Sequence, residues 1–338
     1  MKYVHCPAAE TGIAFICCVS ILFAQPPAGD FFATETALPP SVLAPPETAP
    51  ETDNFESSPL PPADNTAELY LSNVPNGKRS GMFQKVNFNT LWVPRYGGSN
   101  GLGMTELDLS ATFALPMPKP DSPLVITPGI KTTFFDAKRG GNETLYKTSV
   151  DFRWIKPIFT GKLTADIGAG VFYSGDFKVT GSNAIRVPAH AAVLWNCNPR
   201  LNFIFGAAYL DRSDSYNVIP LMGLIWTPQE NLSVELVLPR LRIAERVNWF
   251  GTGDNPVKSD WFYSAFELAG GSWAYETDGI ETEADYHDLR LLLGLERKTS
   301  CGFTLGIETG YMFDRKWETY GSRVHAADSV FIRLRTAY

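Results

Sequence analysis

The chain has 338 residues, 44% hydrophobic and 19% charged, with a net charge of −7 at pH 7. Almost all of the acidic excess falls between Gln25 and Ser80. The remainder is close to neutral, which argues against a nucleic-acid partner.

Met1–Ala24 reads as a secretory leader. Lys2 supplies a basic start, and Ile13–Ala24 is an apolar run that falls short of the roughly 20 residues a spanning helix needs. Cleavage is expected near Ala24, although Glu10 is untypical of such a start and Leu22 is a poor fit at the −3 position. Cys17 and Cys18 invite a lipid-anchor reading. The bulk of Ile16 in front of them speaks against it, and apolar filler is the better reading. Residues 25–80 hold eleven prolines and eight acidic residues against only Lys78 and Arg79. With so little apolar surface to offset the entropy of ordering, this stretch is expected to be a disordered linker, a solvated spacer more than a binding segment. Cleavage would leave two cysteines, Cys197 and Cys301, each in a short predicted turn. No CxxC pair or Cys/His cluster with metal spacing is present, so no cofactor or metal is expected.

From residue 81 to 338 the pattern changes. Apolar residues recur at every second position in segments about ten long, which predicts strands of membrane-crossing length. Glu106–Leu115, Tyr146–Trp154, Lys162–Tyr173, His287–Lys298 and Phe303–Asp314 show the alternation most clearly. In chain order the predicted strands are Phe83–Trp92, Thr105–Leu115, Leu124–Phe135, Leu145–Ile155, Lys162–Tyr173, Ala184–Asn196 and Leu201–Leu210. The second half gives Tyr216–Thr227, Asn231–Leu238, Leu241–Trp249, Trp261–Tyr275, Asp285–Lys298, Phe303–Asp314 and Asp328–Tyr338. That makes fourteen. Leu241–Trp249 is included because its two neighbours would otherwise run in the same direction; twelve strands result if the Pro239 region folds otherwise.

Connections alternate in length. Ile155–Phe159, Asn196–Arg200, Thr227–Asn231 and Thr299–Gly302 are short, whereas Tyr96–Met104, Asp136–Thr144, Ser174–Asn183 and Arg315–Ala326 are long. Short periplasmic turns and longer outer loops have this rhythm. Aromatic residues sit at strand ends on the apolar face. Trp154, Trp195, Trp226 and Tyr338 fall at one end, and Trp92, Tyr146, Tyr173, Tyr209 and Phe313 at the other. Two such rows match the girdles of a membrane barrel at its two lipid–water boundaries. The last strand alternates to its terminal aromatic Tyr338, a form that the barrel-assembly machinery of the outer membrane reads.

The expectation is an all-β, antiparallel up-and-down transmembrane β-barrel in a bacterial outer membrane, with the linker in the periplasm. WTP at Trp226–Pro228, LPRLRI at Leu238–Ile243, YHDLRLLLGLE at Tyr286–Glu296 and GYMFDR at Gly310–Arg315, with the final strand, carry a further likeness. On these the chain resembles a bacterial outer-membrane barrel family of unknown function whose members have a signal peptide and a Pro-rich leader. The resemblance covers about 82–338 and implies fold and location, with no activity and no catalytic residues.

Charges belong on the inner face, because each would cost about 2–4 kcal/mol at mid-membrane on the lipid side. The lumen-lining candidates are Lys147, Asp151, Arg153, Asp166, Arg186, His190, Glu235, Arg242, Arg246, Asp288, Arg290, Glu296, Glu308, Arg333 and Arg335. Lys162 and Asp314 are assigned to the same face. These charges either pair across a narrow lumen and fill it, or line a hydrated path for small solutes or ions with a slight preference for anions. Enzyme signatures such as G-x-S-x-G, HExxH and the P-loop are missing. The function expected is therefore a passive pore or structural barrel whose partner is outer-membrane lipid. The alternatives are a barrel enzyme acting on lipid, with Ser149 or Ser264 near a histidine, and a soluble secreted β-rich binder.

Overall fold

The computed structural model describes residues 82–338, apart from 120–121, 138–140, 160–161, 212–216, 248–257, 278, 300–301 and 320–321. The expected leader and linker, and Cys301, lie outside the described residues. The first strands are β1 (Phe83–Val93), β2 (Leu102–Lys119), β3 (Ser122–Ala137), β4 (Gly141–Ile158) and β5 (Leu163–Gly175). Then come β6 (Ile185–Arg186), β7 (Ala189–Asn198), β8 (Leu201–Tyr209), β9 (Val218–Gln229), β10 (Leu232–Val237) and β11 (Arg240–Val247). The last are β12 (Lys258–Thr277), β13 (Ile280–Thr299), β14 (Thr304–Thr319), β15 (Ser322–His325) and β16 (Ser329–Ala337).

β6 and β15 are short pieces at the outer rim, one paired to β5 and the other to β14. The other fourteen strands form the wall. Each pairs antiparallel with the next in the chain, and β16 pairs with β1 to close the ring. At the seam Val86 and Tyr338 exchange two backbone hydrogen bonds, of 2.7 and 2.9 Å. Closure joins the two edges of the sheet, the one way a sheet can satisfy its backbone in lipid. β10 and β11 are both present, so the parity that requires fourteen strands holds.

The faces follow from the alternation. On β13, Leu291 and Leu293 are 57% and 51% exposed on the outside, while Arg290 and Leu292 between and beside them are 0% and 1% exposed. Two predicted loops are instead strand. β3 and β4 continue to a tight end at Ala137↔Gly141, and β14 runs on to pair with β15 at Glu318↔Arg323. Above the membrane both sheet faces meet water or packed protein, so the ladder persists while the apolar alternation disappears.

The wall is uneven in height. β12 and β13 are 20 residues each, whereas β10 and β11 are 6 and 8. A tilted spanning strand needs about 9–11 residues. The β12–β13 hairpin therefore stands well above its neighbours on one side, and the turn at Leu238–Pro239 forms the lowest point of the outer rim.

Candidate functional site: the barrel interior and its outer closure

Half of the interior is filled by a charged belt. Glu308 on β14 is 0% exposed and accepts hydrogen bonds from Arg240 at 2.8 Å, Tyr263 at 2.5 Å, Arg335 at 3.2 Å and Arg333. Glu267 on β12 accepts from Arg333 at 2.7 Å and lies 3.0 Å from Arg240. Arg242 lies 3.5 Å from both Glu235 and Glu296, with its guanidinium 4.3 Å over the Tyr263 ring. Lys298 reaches Glu296 at 3.2 Å. Tyr263 can lean across β13 because the residue beneath its ring is Gly294, where any Cβ would collide with the ring. Above the belt, Arg290 grips Asp288 with two bonds, of 2.7 and 3.1 Å. Arg246 faces inward opposite Trp261.

The other half, walled by β1–β5 and β7–β10, keeps space. Its cavity has a volume of about 370 Å³. Arg153 and Asp166 form a bidentate pair at 2.6 and 2.5 Å, with His190 3.3 Å from the same carboxylate. Lys131 meets Glu106 at 2.7 Å, and the Lys147 ammonium sits 4.0 Å from the Phe172 ring centre. Lys147, Asp151 and Glu235 line the same space. Seven Lys and Arg residues line the cavity against five Asp and Glu. The inward residues of β8 and β9 are different in kind: Ile204, Ala208, Ile219, Leu221 and Ile225 make an apolar wall.

At the outer end an aromatic core packs the inside of the barrel along β1–β4 and β12–β16. Phe135, Trp273, Tyr286 and Trp317 pack edge-to-face and stacked, with Phe135 4.7 Å from Trp317 and 5.7 Å from Trp273. Leu91, Val93, Leu102, Met104, Leu145, Met312 and Phe331 complete this core. Arg315 ties it down, donating to the Tyr286 hydroxyl at 3.0 Å and to the Ala327 carbonyl at 2.9 Å.

The tall hairpin also leans across the mouth. Ala274 of β12 pairs in parallel with Gly175 of β5, and Ser174 donates to the Ser272 carbonyl at 2.5 Å. Gly175 is required there, since a Cβ would run into the Ala274 carbonyl. Arg186 reaches Glu283 of β13 at 2.8 Å. Asp176, just past β5, accepts backbone bonds from Lys178, Val179 and Glu276 at 2.9, 3.2 and 3.0 Å. Burial opposes its ionisation, but these donors outweigh it and hold the carboxyl below its usual range.

Outside, Trp92, Trp195, Tyr209, Trp226 and Tyr338 are exposed, and Tyr146, Trp154, Tyr173 and Phe313 are half-buried on the same outer face. Tyr173 stacks on Phe177 at 4.9 Å, which also packs 4.6 Å from Tyr146. Two residues assigned inward from the sequence are elsewhere. Lys162 is exposed in the β4–β5 turn. Asp314, at φ 50°, is exposed and paired to Lys316 at 2.7 Å. The strand kinks at Asp314, which swings Arg315 and Trp317 to the inside.

Sequence reading missed Arg240, Glu267 and the aromatic core. Arg240 follows Pro239 and reads as turn, and β12 carries aromatic residues on both faces, Trp261 and Tyr263 inside against Phe262 and Phe266 outside, which hides its period. The Ser–His idea finds no support in the register. Ser264 faces outward, and Ser149 lies four residues along β4 from the row shared by Arg153, Gly168 and His190, about 13 Å away. Cys197 is exposed and free. Among the described residues, no group of three or more His, Cys, Asp or Glu is placed to hold a metal.

A closed sheet with an apolar exterior and its charges inside is a transmembrane β-barrel. That is also the fold the sequence resemblance implies. No family model matches the chain, and no curated protein matches it in sequence. Among solved structures it is similar to an outer-membrane channel from Pseudomonas putida F1, with a TM-score of 0.37 and 11% identity over 85% of this chain and 99% of that one. It is also similar to the TodX monoaromatic hydrocarbon channel (TM-score 0.39, 8% identity, 81% of this chain and 93% of that one). A third is the KdgM porin (TM-score 0.33, 7% identity, 75% and 98%).

Proposed function

We propose that this protein is a passive channel of the bacterial outer membrane. The observation that carries the reading is the cavity inside a closed wall, lined by seven basic and five acidic side chains while the wall's exterior is apolar. Lipid faces the exterior, and small solutes or ions use the interior, with the surplus of positive charge favouring anions. In this reading residues 1–24 direct export and 25–80 remain in the periplasm. The assembly machinery engages β16 and Tyr338. No nucleic acid takes part.

Full-length protein extracted from the outer-membrane fraction and added to a planar bilayer should give stepwise conductance. In a potassium chloride gradient its reversal potential should shift toward the chloride potential. A barrel that inserts and never conducts overturns the channel and leaves a structural wall. Recovery of the native protein from the soluble periplasm or the medium overturns the location as well.

A further inference from the structure

We propose that this barrel admits an anionic single-chain amphiphile sideways, through a gap in the outer rim above the β10–β11 hairpin. The tail lies on the apolar wall of β8 and β9, and the head lies at Arg242. This deepens the channel reading and rests on it.

The gap is written in the strand pairing. β11 pairs with β12 only as far as Arg240↔Glu267, with one more bond from the Leu268 amide to the Pro239 carbonyl at 3.0 Å. Above that point the same edge of β12 has no strand partner among the described residues until Ala274 meets Gly175 of β5. β9 is in the matching position. Its ladder with β10 ends at Gly223↔Val237, while residues 218–222 pair only with β8. β12 thus arches over the tops of β7–β11 to reach β5, and among the described residues no strand fills the interval between the arch and the low wall beneath it. The Phe135, Trp273, Tyr286 and Trp317 core packs the other side of the barrel at this level.

The cavity leads to the gap. Its lining climbs the apolar wall from Ile225 to Leu221 and Ile219 and ends at Leu210, Leu238 and Pro239 beside the gap. Ile225 to Ile219 covers about 20 Å of strand. The wall is hollow because its inward positions include Gly206 and Ala208. Water alone gains nothing from so long an apolar track, whereas an alkyl chain buries its surface there.

The lower end of the track calls for a negative charge. Ile225 lies level with Glu235 and Arg242 across β9, β10 and β11. Arg242 is 5% exposed, its carboxylate neighbours stand off at 3.5 Å, and its buried Nε has no hydrogen-bond partner among the described residues. Arg242 also lines the cavity, where a carboxylate can form charge-assisted hydrogen bonds stronger than these 3.5 Å contacts. The positive surplus of the cavity lining fixes the sign.

The test uses full-length protein in nanodiscs, released for native mass spectrometry after incubation with laurate, dodecyltrimethylammonium or acetate. Laurate should be retained one to one, and the cation and acetate should be at least tenfold weaker. Ala208→Trp or Leu221→Trp, each filling the track, should lower laurate retention at least tenfold. Whichever of them keeps the unheated gel mobility of the folded barrel is the one scored. On the bilayer, laurate should reduce wild-type conductance at least twofold. Equal retention of laurate and the cation, no laurate retention, or full retention by a folded track-filled variant each overturn the proposal. A wild-type channel that conducts and ignores laurate defeats only this inference; a protein that does not conduct at all defeats the channel reading on which it stands.

Discussion

Glu308 joins groups from four strands: its own β14, Arg240 of β11, Tyr263 of β12, and Arg333 and Arg335 of β16. A buried ion pair adds little net stability, because desolvation offsets attraction, but removing one partner strands the other at a cost of about 3–5 kcal/mol. Glu308→Gln leaves three guanidiniums around a neutral amide. We expect it to lower the unfolding free energy of the barrel in urea by that order and to raise anion preference on the bilayer. Asp314→Asn is the matched control. Asp314 is exposed and paired only to Lys316, so its loss should fall within about 1 kcal/mol. Equal effects of the two substitutions would place Glu308 outside the belt. Glu308 was legible from alternation alone. Arg240 was not, because the proline before it mimics a turn, and Asp314 misled because a one-residue kink is invisible in a two-residue period.

At the scale of the strand, β13 sets lipid against interior with a single register. Leu293 faces out at 51% exposure, and Arg290 faces in against Asp288. Leu293→Arg should slow insertion into liposomes, since it puts a charge near the midplane at about 2–4 kcal/mol. Arg290→Leu should insert at the wild-type rate and then prove less stable, because it leaves the Asp288 carboxylate buried without its two donors. Gel mobility followed over time separates insertion rate from final stability, and the opposite pattern would mean the faces are reversed. Strands such as β13 could be read from sequence because one face meets hydrocarbon and the other meets charge. The upper parts of β3, β4 and β14 could not, because above the membrane neither face is restricted to apolar residues. β12 stood between these cases, its interior aromatics imitating a lipid-facing row.

For the whole molecule, closure joins chain segments nearly 250 residues apart at Phe88↔Thr336, and the fourteen strands needed for it follow from direction alone. What direction could not reveal is the asymmetry: a filled side, a hollow side, and a hairpin bent over the top. Those depend on side chains meeting across the interior, which no local period records. The low hairpin has a consequence for the bilayer. Six residues of β10 at a tilt of about 40° rise roughly 15 Å, against an apolar band about 25 Å tall in such barrels. Lipids beside Leu236 and Leu238 must thin, or the barrel must tip toward that side, to keep hydrocarbon off the strand ends. Hydrophobic mismatch is then local to one flank. The protein should fold faster and more completely into vesicles of ten-carbon than of eighteen-carbon phosphatidylcholine, and lengthening the β10–β11 hairpin by two residues in each strand should reduce that preference.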